Sequence, residues 1–139
     1  FDPASGVTDT INAEYTYDTV YGELPAAQRK GHTFNGWYYS GKKINATDTV
    51  KITQDCTFTA SWSANVYTVT FDATQGSCDV SSMKITYGTA FENLPPASKE
   101  GYIFSGWFTD DGQQITDGTR MNFDSDITLR AAFTPAFTA

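Results

Sequence analysis

The sequence is poor in the residues that catalysis and metal binding most often use. It has one histidine, His32, and two cysteines, Cys56 and Cys78, among 139 residues. A Ser–His–Asp or Cys–His relay would therefore have a single possible base, which aligns with Tyr102 in the second half, and no metal site is expected. The Asp-x-Asp/Asn-x-Asp/Asn-Gly loop with a later Glu that binds calcium is absent too. Cations are scarce, with 9 Lys and Arg against 16 Asp and Glu. Five basic face seven acidic residues in 1–64, and four face nine in 65–139. Neither half has a basic footprint, which argues against nucleic acid and anionic membrane surfaces as partners. No run approaches the roughly 18 consecutive apolar residues of a membrane span, so no membrane insertion is expected of this segment. The N-terminus also lacks the basic and apolar regions of a signal peptide. If the parent protein is exported, its signal and anchor are expected outside this chain.

Aromatic residues, by contrast, are plentiful: 10 Phe, 8 Tyr and 3 Trp, or 15% of the chain. Their placement repeats. An offset of 70 puts Phe1-Asp2 on Phe71-Asp72, Gly6 on Gly76, Leu24-Pro25 on Leu94-Pro95 and Gly31 on Gly101. Phe34, Gly36 and Trp37 fall on Phe104, Gly106 and Trp107. One added residue in the Asp110-Asp111-Gly112 turn shifts the offset to 71, after which Ile44 meets Ile115, Phe58 meets Leu129 and Trp62 meets Phe133. The shared positions are apolar, Gly and Pro, which set a fold, whereas Asn35/Ser105 and Thr59/Arg130 drift. A fixed period of this kind redefines the domain organisation. We read residues 1–64 as one module and 65–139 as a second, and an active site common to both as improbable.

Each module reads as β-rich. Asn65–Asp72 alternates with period 2, placing Tyr67, Val69 and Phe71 on one face. Met83, Ile85 and Tyr87 repeat the pattern, as do Ala13, Tyr15 and Tyr17 in the first copy. Leu94–Gly101 has Pro early and Gly at its end, the asymmetry expected of a short helix. Tyr102–Thr109 is aromatic and β-branched with Gly106 inside, which predicts a bulge that lets Phe104 and Trp107 share the core despite their odd spacing. The last strand alternates Ile127, Leu129, Ala131 and Phe133. The expectation is about four strands with one short helical crossover per module. Nothing here precedes Phe1 to match Asn65–Thr70, so the first copy lacks most of its leading strand in this sequence, which reads as an artificial or processing boundary. A bare sheet edge at that place could pair with another chain.

The string Tyr87-Gly88, Leu94-Pro95, Gly101-Tyr102-x-Phe104-x-Gly106-Trp107, then Ile115-Thr116 and Ile127-Thr128-Leu129, resembles the Listeria–Bacteroides repeat, also called the internalin B-repeat. Gly31-His32-Thr33-Phe34-Asn35-Gly36-Trp37 carries the same core in the first copy. The likeness implies an α+β, β-rich fold of two tandem small β-grasp, ubiquitin-like modules. It further implies a spacer or adhesive stalk segment on a bacterial, mostly Gram-positive, surface protein, located outside the cell or in the cell wall. No catalytic residue and no cofactor come with it. The expected partners are neighbouring repeats of the same parent and a host or bacterial surface protein or glycan. Two positions depart from the pattern: Asp18 stands where the second copy has Gly88, and the closing Trp is Phe133 in the second copy.

Other features have sharper and plainer readings side by side. Cys56 and Cys78 could be bridged, but Cys56 aligns with Ile127, and a buried thiol acting as a small hydrophobe is the better-supported reading. Asp110-Asp111 and Asp124-x-Asp126 read as solvated turn acids, neither pair being repeated in the first copy. Asn45-Ala46-Thr47 is a glycosylation sequon with no expected role in a bacterial protein. Lys84, flanked by inward Met83 and Ile85, faces the wrong way for an isopeptide crosslink. Among the aromatics, Tyr21, Tyr38 and Tyr39 are the candidates to face a ligand, because alternation should turn at least one of the Tyr38-Tyr39 pair outward. They carry the alternative function, a carbohydrate-binding accessory module of a secreted glycan-degrading enzyme.

Overall fold

The structure, a computed structural model, describes residues 1–137. It contains strands β1 (His32–Tyr39), β2 (Lys42–Ile44), β3 (Thr59–Ala64), β4 (Val66–Asp72), β5 (Ser82–Thr86), β6 (Tyr102–Phe108), β7 (Gln114–Ile115) and β8 (Ile127–Pro135). No helix occurs among the described residues. The chain divides into two compact units, Phe1–Ser63 and Ala64–Ala139.

The second unit is a mixed five-stranded sheet of order β5-β4-β8-β6-β7. Its leading and closing strands lie side by side at the centre, β4 running parallel to β8 with Phe71 opposite Leu129. β5 pairs antiparallel with the other edge of β4, Val69 opposite Met83. The period-2 pattern explains the burial: Val69 and Phe71 are buried while Val66 and Thr70 are exposed. Leu129, Ala131, Ile85, Trp107 and Ile115 come from the other strands, and the connections add Phe91 and Met121, both fully buried. The anticipated bulge is present. Phe104 faces Phe133 and Gly106 faces Ala132, so Ser105 has no partner of its own, and the ring of Phe104 comes within 5.4 Å of Trp107.

The expected helix over Leu94–Gly101 is not there. The segment is extended, with Pro95 and Ala97 buried and Pro96 and Ser98 exposed, a period of 2 rather than 3.6. Two forces explain the difference. A residue before proline is driven out of the helical region, and Pro96 does this to Pro95 as Pro95 does to Leu94. The Pro95 carbonyl is also engaged, accepting the Trp107 indole N–H at 2.7 Å, and Ser98 exchanges two backbone hydrogen bonds with Ser77. The Gly at the segment's end serves a turn instead of a helix end. Gly101 has φ 81° and Gly31 φ 70°, left-handed conformations that turn the chain into β6 and β1.

The first unit repeats this plan around a smaller sheet of order β2-β1-β3. Trp37, 1% exposed, packs with Ile44, Phe58, Ala60 and Ala27. Its indole N–H donates to the Pro25 carbonyl at 2.8 Å, as Trp107 does to Pro95. Asp2 lies in a parallel bridge to Thr59 that matches Asp72 opposite Arg130. The strand expected over Ala13–Tyr17 does not form. Its alternation is intact, but a strand needs a partner ladder, and among the described residues none lies beside this segment as β4 lies beside β5.

Candidate functional site

The three tyrosines singled out from the sequence do not converge on one exposed platform. Tyr39 is half-buried and its ring packs 6.1 Å from Phe58, on the core side of β1. Tyr38 lies on the opposite face, half-buried, at the register position of Lys43 on β2. Tyr21 occupies the place that the fully buried Phe91 holds in the second unit. It stacks edge-on against Phe58 at 5.8 Å and against Tyr15 at 5.0 Å. Burial pushes the Tyr21 phenol above its ordinary value of 10.0, with smaller contributions from Cys56, Asp48 and Tyr15, and burial does the same to Tyr15.

What the tyrosines do mark is a concavity. Tyr15 and Tyr21 line an open groove of about 660 Å³ within the first unit, together with Phe1, Ile52, Cys56 and Phe58. Its two walls are residues 11–15 and 52–56, neither of which belongs to a strand. Ile11 is 65% exposed and Tyr17 55% exposed. Neither the depth nor the walls of the groove could be read from spacing.

Cys56 is exposed, against the expectation of a buried thiol. The alignment with Ile127 is sound, yet Ile127 is half-buried because β4 lies beside it with Val69 opposite, and no strand lies beside Cys56. Cys78 is half-buried, and its thiol donates to the Val80 carbonyl at 3.2 Å, as the Thr8 hydroxyl contacts the Thr10 carbonyl at 3.5 Å in the other copy. Both cysteines are free thiols.

The remaining polar groups stabilise turns and sheet surfaces. Asp2 and Asp72 each accept a backbone N–H two residues on, from Ala4 and Thr74. Arg130 bridges Asp72 and Asp110, and both carboxylates raise its pKa further. Asp126 accepts the Thr68 backbone N–H at 2.8 Å, and Asp117 accepts that of Leu94 at 3.1 Å. Lys84 donates to the Thr68 hydroxyl at 2.8 Å on the solvent side of the sheet. His32 contacts the Lys30 carbonyl through Nδ1 at 2.8 Å. Among the described residues no three His, Cys, Asp or Glu side chains gather where they could hold a metal ion.

Two copies of one turn and indole-to-proline framework thus recur along the chain, and the sequence pattern of the Listeria–Bacteroides repeat domain matches it twice, over residues 1–61 and 67–132. The chain belongs to this repeat family. It is 33% identical over 133 residues to a protein of Evansella cellulosilytica named as a Gly-rich membrane protein, covering 92% of this chain and 15% of that protein. A second protein of the same organism, named as a membrane protein, is 35% identical over 73% of this chain and 15% of its own length. Internalin H of Listeria monocytogenes is 35% identical over 81% of this chain and 21% of its own length. The chain therefore spans about a fifth or less of the length of these curated relatives. Among the described residues no helix is long and apolar enough to cross a membrane.

Proposed function

We propose that the chain is a non-catalytic tandem repeat segment of a bacterial cell-surface or secreted protein, a spacer that carries neighbouring domains away from the cell wall and takes part in adhesion. The observation that carries this reading is the distribution of likeness between the copies. Core and turn positions match, from Trp37/Trp107 with their proline carbonyls to Asp2/Asp72 with their turns, while the polar faces differ. A site under shared chemical demand would show the reverse. Its partners on this reading are adjoining repeats of the parent and a host or bacterial surface protein. The family's presence in an internalin and in proteins named as membrane proteins supports an extracellular, surface-attached setting.

The fold reading that goes with it is a β-grasp without its helix. Counting from the leading strand, the second unit has order 2-1-5-3-4 with the first and last strands parallel at the centre, the sheet of a ubiquitin-like module. The crossover that would be helical is the extended proline segment 94–101. The test places two or four copies of the chain between a cell-wall anchor and a reporter domain. The reporter's reach should grow with copy number and be unchanged by substitutions on the polar faces. Turnover of a substrate by the isolated chain, or saturable glycan binding lost on Tyr38→Ala, would refute the reading.

A further inference from the structure

In the second unit the chain enters and leaves through two neighbouring strands. Val66 opens β4 and Pro135 closes β8, and the strands lie parallel with Val69, Thr70, Phe71 and Asp72 opposite Ile127, Thr128, Leu129 and Arg130. Because they are parallel, the start of β4 and the end of β8 leave this overlap in opposite directions along one axis. Tension applied at the two ends of the unit therefore runs along both strands and is carried across the four pairs between them. The hydrogen bonds of a parallel pair are evenly spaced along it, so they share that load instead of meeting it in turn.

Both strands are also backed on their far sides. β5 pairs with β4 from Val66 to Thr70, and β6 pairs with β8 as far as Tyr102 opposite Pro135, after which the Ala136 N–H donates to the Gly101 carbonyl at 2.9 Å. Neither strand can slide out without leaving its outer partner as well, which makes the β4–β8 seam the shortest line along which the sheet can part. Side chains extend that seam at each end. The Asp126 carboxylate accepts the Thr68 backbone N–H at 2.8 Å, one position before Val69. At the other end Arg130 spans the seam to Asp72 and also reaches Asp110 at 2.8 Å.

We propose that the β4–β8 seam is a mechanical clamp, which makes the second unit resist tension through its two ends far longer than tension that peels the same strands apart, with Arg130 between Asp72 and Asp110 as its side-chain fastening. The setting rests on the spacer reading, in which a stalk transmits pull, whereas the clamp itself rests on strand direction and register.

Single-molecule pulling at constant force tests it, because forced unfolding is governed by the unfolding rate. The full chain carries Cys56→Ser and Cys78→Ser, so that handles attach only at introduced thiols. Handles at Ala64→Cys and Ala136→Cys load the seam in shear. Handles at Ala64→Cys and Ser125→Cys load the starts of both strands, so the pairs open one at a time from Val69 and Ile127. All three handle positions are exposed. A folded unit shows itself by one lengthening step, about 250 Å of chain for the first pair of handles and about 210 Å for the second. The folded lifetime at equal force should be at least about tenfold longer in shear, since several hydrogen bonds must break together. Arg130→Thr, which installs the residue type of Thr59 in the first copy, should shorten the shear lifetime about three- to fivefold, less in high salt. It should leave the peeling lifetime unchanged, because Asp72 and Arg130 are there the last pair to open. Equal lifetimes in the two geometries, or equal shortening by Arg130→Thr in both, would overturn the proposal. That result would leave the spacer reading standing, since the reporter's reach tests it separately. Failure of the reach to grow with copy number would not alter the ratio of the two lifetimes.

Discussion

Replacing Trp107 with Phe tests whether the extended crossover, rather than the sheet alone, holds the module together. Trp107 is 2% exposed and its Nε1–H donates to the Pro95 carbonyl at 2.7 Å. Pro95 is itself buried, so in a Trp107→Phe variant its carbonyl oxygen would face the core without a donor. Leaving a buried acceptor unsatisfied costs about 1–3 kcal/mol. The smaller ring also gives up packing against Phe71 at 4.9 Å and Phe104 at 5.4 Å, for which about 1 kcal/mol is a fair share of the full Trp-to-Ala range. The sum is about 3 kcal/mol, or about a hundredfold in the opening equilibrium, since 1.4 kcal/mol is a factor of ten.

Amide hydrogen exchange reads this residue by residue. Protection at Val69, Phe71 and Leu129, the centre of the second sheet, should fall by about a hundredfold. Trp37→Phe should do the same for residue 37 and Ala60 in the first unit, where the Pro25 carbonyl loses its donor. A loss below about 0.5 kcal/mol at both sites would refute the argument, because the indole N–H would then be incidental and any large aromatic would serve.

Three further outcomes follow from the geometry. Gly76→Ala would drive a Cβ into the Ser98 carbonyl oxygen and to 2.8 Å from the Phe133 ring, and should cost about 2–4 kcal/mol in urea denaturation, by overpacking and by loss of the Ser77–Ser98 hydrogen bonds. Asp18→Gly should stabilise the first unit by about 0.5–1 kcal/mol in the same assay: Asp18 sits at φ 69° where Gly88 sits at 83°, and the exposed Lys51–Asp18 pair it gives up contributes little. Tyr21 and Tyr15 are held above the ordinary phenol value of 10.0, mainly by burial. The folded state therefore favours their neutral forms, and the stability they contribute, complete below pH 10, is lost as pH rises through the raised values. Alkaline unfolding followed by circular dichroism should begin at higher pH in Tyr21→Phe, and an unchanged midpoint would refute the assignment.

Much of the fold was legible because alternation and repetition are carried by apolar residues. Val69/Phe71 and Leu129/Ala131 could be placed on the core face from period 2 alone, and Gly106 announced its bulge because Phe104 and Trp107 could not otherwise share a face. The parallel pairing of β4 with β8 was not legible, since nothing local distinguishes a parallel from an antiparallel neighbour. The crossover misled because Pro early and Gly late are signs of both a helix and an extended turn. What decides between them is the Trp107 indole twelve residues further on, a tertiary contact without a local signature.

The first unit shows why alternation alone does not make a strand. Ala13, Tyr15 and Tyr17 have the spacing of Met83, Ile85 and Tyr87, yet only Met83 and Ile85 lie in a strand, β5, with β4 paired beside them. Cys56 is exposed where Ile127 is half-covered, and Tyr15 is half-buried where Ile85 is 5% exposed. Ile127 and Ile85 flank β4 from its two sides, in β8 and β5, so the burial of a strand residue is set by the ladder beside it and not by its own alternation.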